Sequence, residues 1–126
     1  MNIREINFKE LYESLKEEIY ASKVKNGEKG YAVIDKVNDK VYYENGGFFL
    51  CGFIALGFKC KTKENRELLK VFREQNFDIS SYYYGGKIVY FGYENGMYEI
   101  GREAIGMIIN MLNKNGYNVY SLSNLD

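Results

Sequence analysis

The sequence predicts an α+β domain: a mixed or antiparallel sheet of about five strands, built from two β-hairpins and a C-terminal strand, with three helices packed on it. Three observations carry this. Apolar residues recur at helical period in three separate stretches. Two further stretches alternate in hydrophobicity around short turn signals. Gly and Asn-Gly punctuate the chain between them.

The N-terminal helix is expected over 7–26. Asn7 can N-cap it, Glu10 stands three residues on, and Ile6 and Leu11 are placed to staple across the cap. Phe8, Leu11, Tyr12, Leu15 and Ile19 make one apolar stripe, with charged residues on the other face and Gly27 as a stop. Tyr31 to Glu44 reads as a hairpin turning at Asn38-Asp39. Ala32, Ile34, Val41 and Tyr43 then share one face, and Val33, Asp35, Lys40, Tyr42 and Glu44 the other. The run Gly46 to Phe58 is so continuously apolar that it fits a buried strand or a short buried helix.

A second helix is expected from Lys63 to Gln75, with Thr62 as N-cap and Leu68, Leu69, Val71 and Phe72 inward. The next hairpin, within Asp78 to Tyr98, holds six of the thirteen tyrosines. Gly85-Gly86 suits a two-residue type I′ turn. That register puts Tyr82, Tyr84, Lys87, Val89, Phe91 and Tyr93 on one, partly exposed face, and Ile79, Tyr83, Ile88 and Tyr90 on a core face. The third helix runs from Met97 to Lys114 on a stripe of Ile100, Ala104, Ile108 and Met111. Asn115-Gly116 closes it, Tyr117 packs back, and Tyr117 to Leu122 forms the last strand. The glycines and small residues of 47–58 align with those of 96–107, which suggests a hairpin-helix-strand duplication with units 30–81 and 78–122.

At 126 residues the chain is one domain, large enough to bury roughly two-thirds of its unfolded surface. Seventeen basic residues against seventeen acidic ones give a net charge of zero, which argues against a general nucleic-acid or membrane-surface binder. With no His, a mixed Cys/His metal site cannot be built, and Cys51 and Cys60 fit no zinc spacing, so no metal or cofactor is expected. They read as free thiols in a reducing cytoplasm, Cys60 being the more reactive between Lys59 and Lys61. The N-terminus has no signal-peptide pattern, and no apolar run is long enough to cross a bilayer. A cytoplasmic protein, of a bacterial cell or an infected host cell, is expected. Abundant Lys, Asn, Ile and Tyr with no Pro or Trp suit an A+T-rich bacterial or phage genome.

Catalytic signatures are missing: no His base, no nucleophile elbow, no Walker loop. Asp35 with Glu44 is the one carboxylate pair on a shared strand face, which is more simply a solvated surface. Two features suit binding. Tyr82, Tyr84, Lys87 and Tyr93 offer large rigid rings with hydroxyls, a composition found in recognition surfaces. Lys63, Arg66, Lys70 and Arg73 share one face of the second helix, a basic stripe that can meet phosphate or an acidic surface. The favoured function is a non-enzymatic recognition protein that binds a protein partner, of the phage or mobile-element inhibitor, immunity-protein or antitoxin kind. The alternative is a domain that binds a small nucleotide-like ligand, stacking it on Tyr82, Tyr84 or Tyr93 and pairing phosphate with Arg66, Lys70 or Arg73. Homo-oligomerisation through the hairpin aromatics is compatible with either.

Overall fold

The structure, a computed structural model, describes residues 1–25, 33–35, 40–42 and 51–125. A 3-10 turn at Ile3–Glu5 precedes helix α1 (Phe8–Lys25). A small hairpin follows, β1 (Val33–Asp35) with β2 (Lys40–Tyr42). Then come β3 (Gly52–Lys59), α2 (Lys63–Glu74), β4 (Asp78–Tyr82), β5 (Gly86–Glu94), α3 (Tyr98–Lys114), β6 (Val119–Ser121) and β7 (Asn124–Leu125). The last five strands make one antiparallel sheet in the order β4-β5-β3-β6, with β7 also paired to β3. The fold is therefore α+β, as its patterning predicts.

The helix boundaries follow their caps. Asn7 Oδ1 accepts the Glu10 N–H at 3.2 Å, and Thr62 Oγ1 accepts the Asn65 N–H at 3.1 Å. Both α2 and α3 end in a Schellman pattern. Phe77 N–H reaches Phe72 O at 3.1 Å past Asn76 in the left-handed region, and Tyr117 N–H reaches Leu112 O at 3.1 Å past Gly116. Gln75 ties the start of α1 to the end of α2: its Oε1 accepts the Phe8 N–H at 2.9 Å and its Nε2 donates to Ile6 O at 2.6 Å.

All three helices pack on one face of the sheet. Ile54, Leu56 and Phe58 alternate inward from β3, joined by Val89 from β5 and Val119 from β6. Phe58 stacks on Phe72 of α2, and Tyr12 of α1 meets Phe91 edge-on. Gly101 of α3 lies against Ile54 and Tyr12 so closely that a Cβ there would stand 2.6 Å from the Tyr12 hydroxyl. Asn65, only 3% exposed, locks the upper end of the core. Its Nδ2 donates to Lys59 O at 2.9 Å and Asn118 O at 3.1 Å, and its Oδ1 accepts the Asn118 N–H at 3.2 Å.

Three expectations need correction. The apolar run that fits strand or helix is strand over Gly52–Lys59, whereas its glycine-matched counterpart at 101–107 is helix, so the two aligned runs are not structurally equivalent. In the first hairpin Asp35 pairs with Lys40 and Val33 with Tyr42, whereas the expected register puts Asp35 opposite Tyr42; the expected turn residues Asn38-Asp39 lie outside the described residues. The register moves by two, an even number, so Ile34 and Val41, expected on one face, remain on one face and now pair directly. Gly27, Ala32, Tyr43, Glu44 and 45–50 lie outside the described residues, so the Asp35–Glu44 pair does too.

The third correction concerns the tyrosine hairpin. Tyr82 pairs with Gly86, and the loop is the three residues Tyr83–Gly85, with Tyr84 at φ 61° and Gly85 at φ 75°. The two strands therefore pair differently from a Gly85-Gly86 turn. Ile79 and Val89 point to the helices together, while Ser80 and Ile88, and Asp78 and Tyr90, point away from them. Val89 is fully buried and Phe91 packs against the core, so neither belongs to an exposed face, and Ile88 and Tyr90 do not belong to the core.

Candidate functional site

The side of the sheet away from the helices carries no described helix. Cα partners across antiparallel strands share a face, so register assigns its residues. Ala55 and Gly57 of β3, Gly86, Ile88 and Tyr90 of β5, Asp78, Ser80 and Tyr82 of β4, and Tyr120 of β6 all lie on it. A bulge between Ile54 and Ala55 admits the extra residue Phe91 and resets the alternation. As a result Tyr93 pairs with Phe53 on the open face, while Phe91, between Tyr90 and Gly92, drops into the core.

Two halves of this face differ. Near the hairpin, side chains lie flat across glycines. A Cβ on Gly86 would come within 2.2 Å of the Tyr82 ring, and one on Gly57 within 2.3 Å of Leu122 and 2.8 Å of Tyr120. Glycine serves there because a ring covers it. At the other end three aromatic rings stand up. Phe53 meets Tyr93 at 5.0 Å and Tyr90 at 6.4 Å between ring centroids, both edge-to-face. Phe53 is 47% exposed and Tyr93 45%. A groove of about 890 Å³ opens beside these rings, lined by Phe53, Tyr90, Tyr93, Ile88 and Leu122, with Asn124, Ser80, Asp78 and Lys9 as polar and charged points.

The residues expected from sequence to bind are distributed over three places. Tyr82 is half-buried against Gly86, and its hydroxyl is buried with no hydrogen-bond partner among the described residues. Tyr84 projects from the hairpin tip, 85% exposed, with Lys59 Nζ 6.0 Å from its ring centre. Lys87 points to the helix side and donates to Ser81 Oγ at 2.7 Å. Only Tyr93 joins the standing cluster. Arg66, Lys70 and Arg73 are exposed on α2, opposite its buried Leu68 and Phe72. Since α2 covers the other face of the sheet, the stripe and the aromatic cluster are separated by the sheet itself. Arg66, Lys70 and Arg73 do not line the groove with the rings, whereas Lys9 of α1 does. Phe53, Tyr90, Ile88 and Leu122 are the surface residues that sequence reasoning missed. The signal for Phe53 was present: Phe53-Ala55-Gly57 alternates with Ile54-Leu56-Phe58.

A polar cluster sits at the far end of the helix side. Glu94 accepts from the Tyr12 hydroxyl at 2.8 Å and from Lys16 Nζ at 2.6 Å, and Lys16 also pairs with Glu13 at 3.0 Å. Burial first, then the Glu94 carboxylate, pushes the Tyr12 phenol far above its usual range. For Lys16 burial works downward, but its hydrogen bonds to Glu94 and Glu13 outweigh it and the net shift is upward. Tyr12 and Lys16 thus hold their protons firmly, and their hydrogen bonds to Glu94 tie α1 to β5. Cys51 donates to Asn95 Oδ1 at 3.1 Å and receives the Gly96 N–H at 3.3 Å, while Cys60 is partly buried on the core. Among the described residues no group of three or more His, Cys, Asp or Glu could hold a metal ion, and no helix is long and apolar enough to cross a membrane.

No protein-family model, no curated protein and no solved structure matches this chain.

Proposed function

We infer that this chain is a non-enzymatic recognition protein that binds a protein partner through the helix-free face of its sheet. The observation that carries the reading is the pair Phe53 and Tyr93, two large rings in contact with each other and each nearly half exposed. Adjacent exposed aromatics on a rigid strand pair make good anchors: they bring area and little rotamer entropy to an interface. Tyr84 supports it. A bulky residue in the left-handed region costs about 1–2 kcal/mol, and at 85% exposure little packing offsets that cost. Strain of this kind at an exposed tip is characteristic of contact residues. The kind of protein this suits best is a small inhibitor, immunity protein or antitoxin, whose task is one tight contact. The nucleotide-type alternative is weakened, because the cationic stripe of α2 lies across the sheet from the rings that would stack the base.

The test is partner capture by variants. Phe53→Ser with Tyr93→Ser should abolish recovery of a defined protein that the wild type recovers. Arg66→Ala with Lys70→Ala should leave recovery intact. Loss with the helix variant and retention with the sheet variant would move the site to α2.

A further inference from the structure

Among the described strands β4 is the outermost of the sheet, and its outer edge is regular. Which of its amides point outward follows from Ala55. Its N–H donates to Ser123 Oγ at 3.2 Å and its carbonyl accepts from Leu122 N–H at 3.0 Å, so the Ala55 amides face the β6–β7 side. Alternation then turns Leu56 and Phe58 toward β5, Val89 and Lys87 back toward β3, and Ile88 and Tyr90 toward β4. Their partners Ser80 and Asp78 face β5, which leaves the N–H and C=O groups of Ile79 and Ser81 pointing out of the sheet. No described strand pairs with that side.

Proteins usually blunt such an edge with Lys, Pro, a bulge or a break. The opposite edge is blunted: β6 and β7 are two short strands interrupted at Leu122 and Ser123. β4, Asp-Ile-Ser-Ser-Tyr, has none of these devices, and its register is unbroken over all five residues.

We propose that the β4 edge pairs with the β4 edge of a second copy of this chain, antiparallel and centred on Ser80. The strand is self-complementary in that register. Ile79 exchanges two backbone hydrogen bonds with Ser81 of the second copy, and Ser81 with its Ile79. Ser80 faces Ser80, a close contact that two small hydroxyl side chains tolerate. Asp78, the only charge on the strand, falls opposite Tyr82 and not opposite another carboxylate. The zero net charge of the chain leaves no long-range repulsion between copies. The twofold axis runs perpendicular to the sheet, because both Ser80 side chains lie on the same face. Two five-stranded sheets thus become one of ten strands, and both aromatic faces open on the same side. The inference goes beyond the recognition reading, and partner capture is a separate readout, so either can fail alone.

The experiment is light scattering after size exclusion, from micromolar to sub-millimolar protein, joined to amide exchange at Ile79 and Ser81. The wild type is expected to run at twice 14.7 kDa, with those two amides protected at high concentration and exposed on dilution. Ser80→Lys places two ammonium groups face to face. Ser81→Pro removes an outward N–H without touching a β4–β5 backbone hydrogen bond, at the cost of the exposed Lys87–Ser81 side-chain contact. Each should give a 14.7 kDa monomer with unchanged circular dichroism. Phe53→Ser should stay dimeric. A wild type that is monomeric at every concentration overturns the proposal. So does a dimer that survives Ser80→Lys and Ser81→Pro but is lost with Phe53→Ser, which would place the contact on the aromatic face.

Discussion

Replacing Asn65 with Ala tests how the top of the core is held. The Asn65 amide satisfies three backbone groups at once: Lys59 C=O, Asn118 C=O and Asn118 N–H. Ala leaves all three short of a partner at a site that is 3% exposed in the native protein. At about 1 kcal/mol for each lost hydrogen bond the cost is ~3 kcal/mol. The better helix propensity of Ala returns about 0.5 kcal/mol. The net is roughly 2–3 kcal/mol, read as a lower urea midpoint at unchanged slope and a melting temperature lower by roughly 10 °C for a chain of this size. Asn65→Asp separates hydrogen bonding from volume. It keeps the acceptor for Asn118 but turns a carboxylate oxygen toward two carbonyls, so at neutral pH it should cost more than Ala. If both variants lie within about 0.5 kcal/mol of wild type, a level typical of surface changes, the bridge does not hold β3 to the α3–β6 connection.

Further expectations come from the hairpin and the polar cluster. Val89→Ala should destabilise by about 2 kcal/mol, two buried methyl groups plus a small cavity, whereas Ile88→Lys on the open face should cost under ~1 kcal/mol. The reverse order in chemical denaturation would restore the two-residue turn register. Tyr84→Ala should change stability by less than about 0.5 kcal/mol, while Tyr82→Ala uncovers Gly86 and should lower the melting temperature measurably. Tyr12 has a folded pKa raised above its unfolded value near 10, so its stabilising contribution is complete below pH ~10 and is lost as pH rises toward the folded value. Tyr12→Phe should therefore flatten the alkaline limb of stability against pH by up to about 1.4 kcal/mol per pH unit, one proton's worth. An identical limb in both proteins would show that the phenol ionises as freely folded as unfolded.

The helices were legible from sequence because each is bounded by local chemistry. Asn7 and Thr62 make the cap bonds their positions suggest, and Gly116 ends α3 in the left-handed region. The stripes led by Phe8, Leu68 and Ile100 face the core as their period requires, with Leu11, Leu15, Ile19 and Met111 half-buried at its margin. The strand at 52–59 was ambiguous because both of its faces are apolar. Ile54, Leu56 and Phe58 enter the core, while Ala55 and Gly57 are buried on the other side beneath neighbours distant in sequence. The hairpin was misread for a related reason. Gly86 looked like a turn residue, yet its role is to lie under Tyr82, and the loop instead places Tyr84, a bulky residue, at positive φ. The loop is longer and lies earlier in the chain, so Lys87 pairs with Ser81 and not with Tyr84; this odd shift exchanged which side of β5 faced the core and hid Ile88 and Tyr90 from the sequence reading. The Phe53 cluster depends on a β-bulge, which no local propensity announces.

In the proposed function the open sheet face is the place where a protein partner docks. The most direct measurement is site-specific photo-crosslinking, with a photoreactive side chain at position 53 in one protein and at position 70 in another, exposed to extract and read by mass spectrometry. The expected result is an adduct of defined protein mass from position 53 and none from position 70. An adduct from position 70 alone, or no protein adduct together with a few hundred daltons of non-covalently bound mass on the native chain, would contradict it.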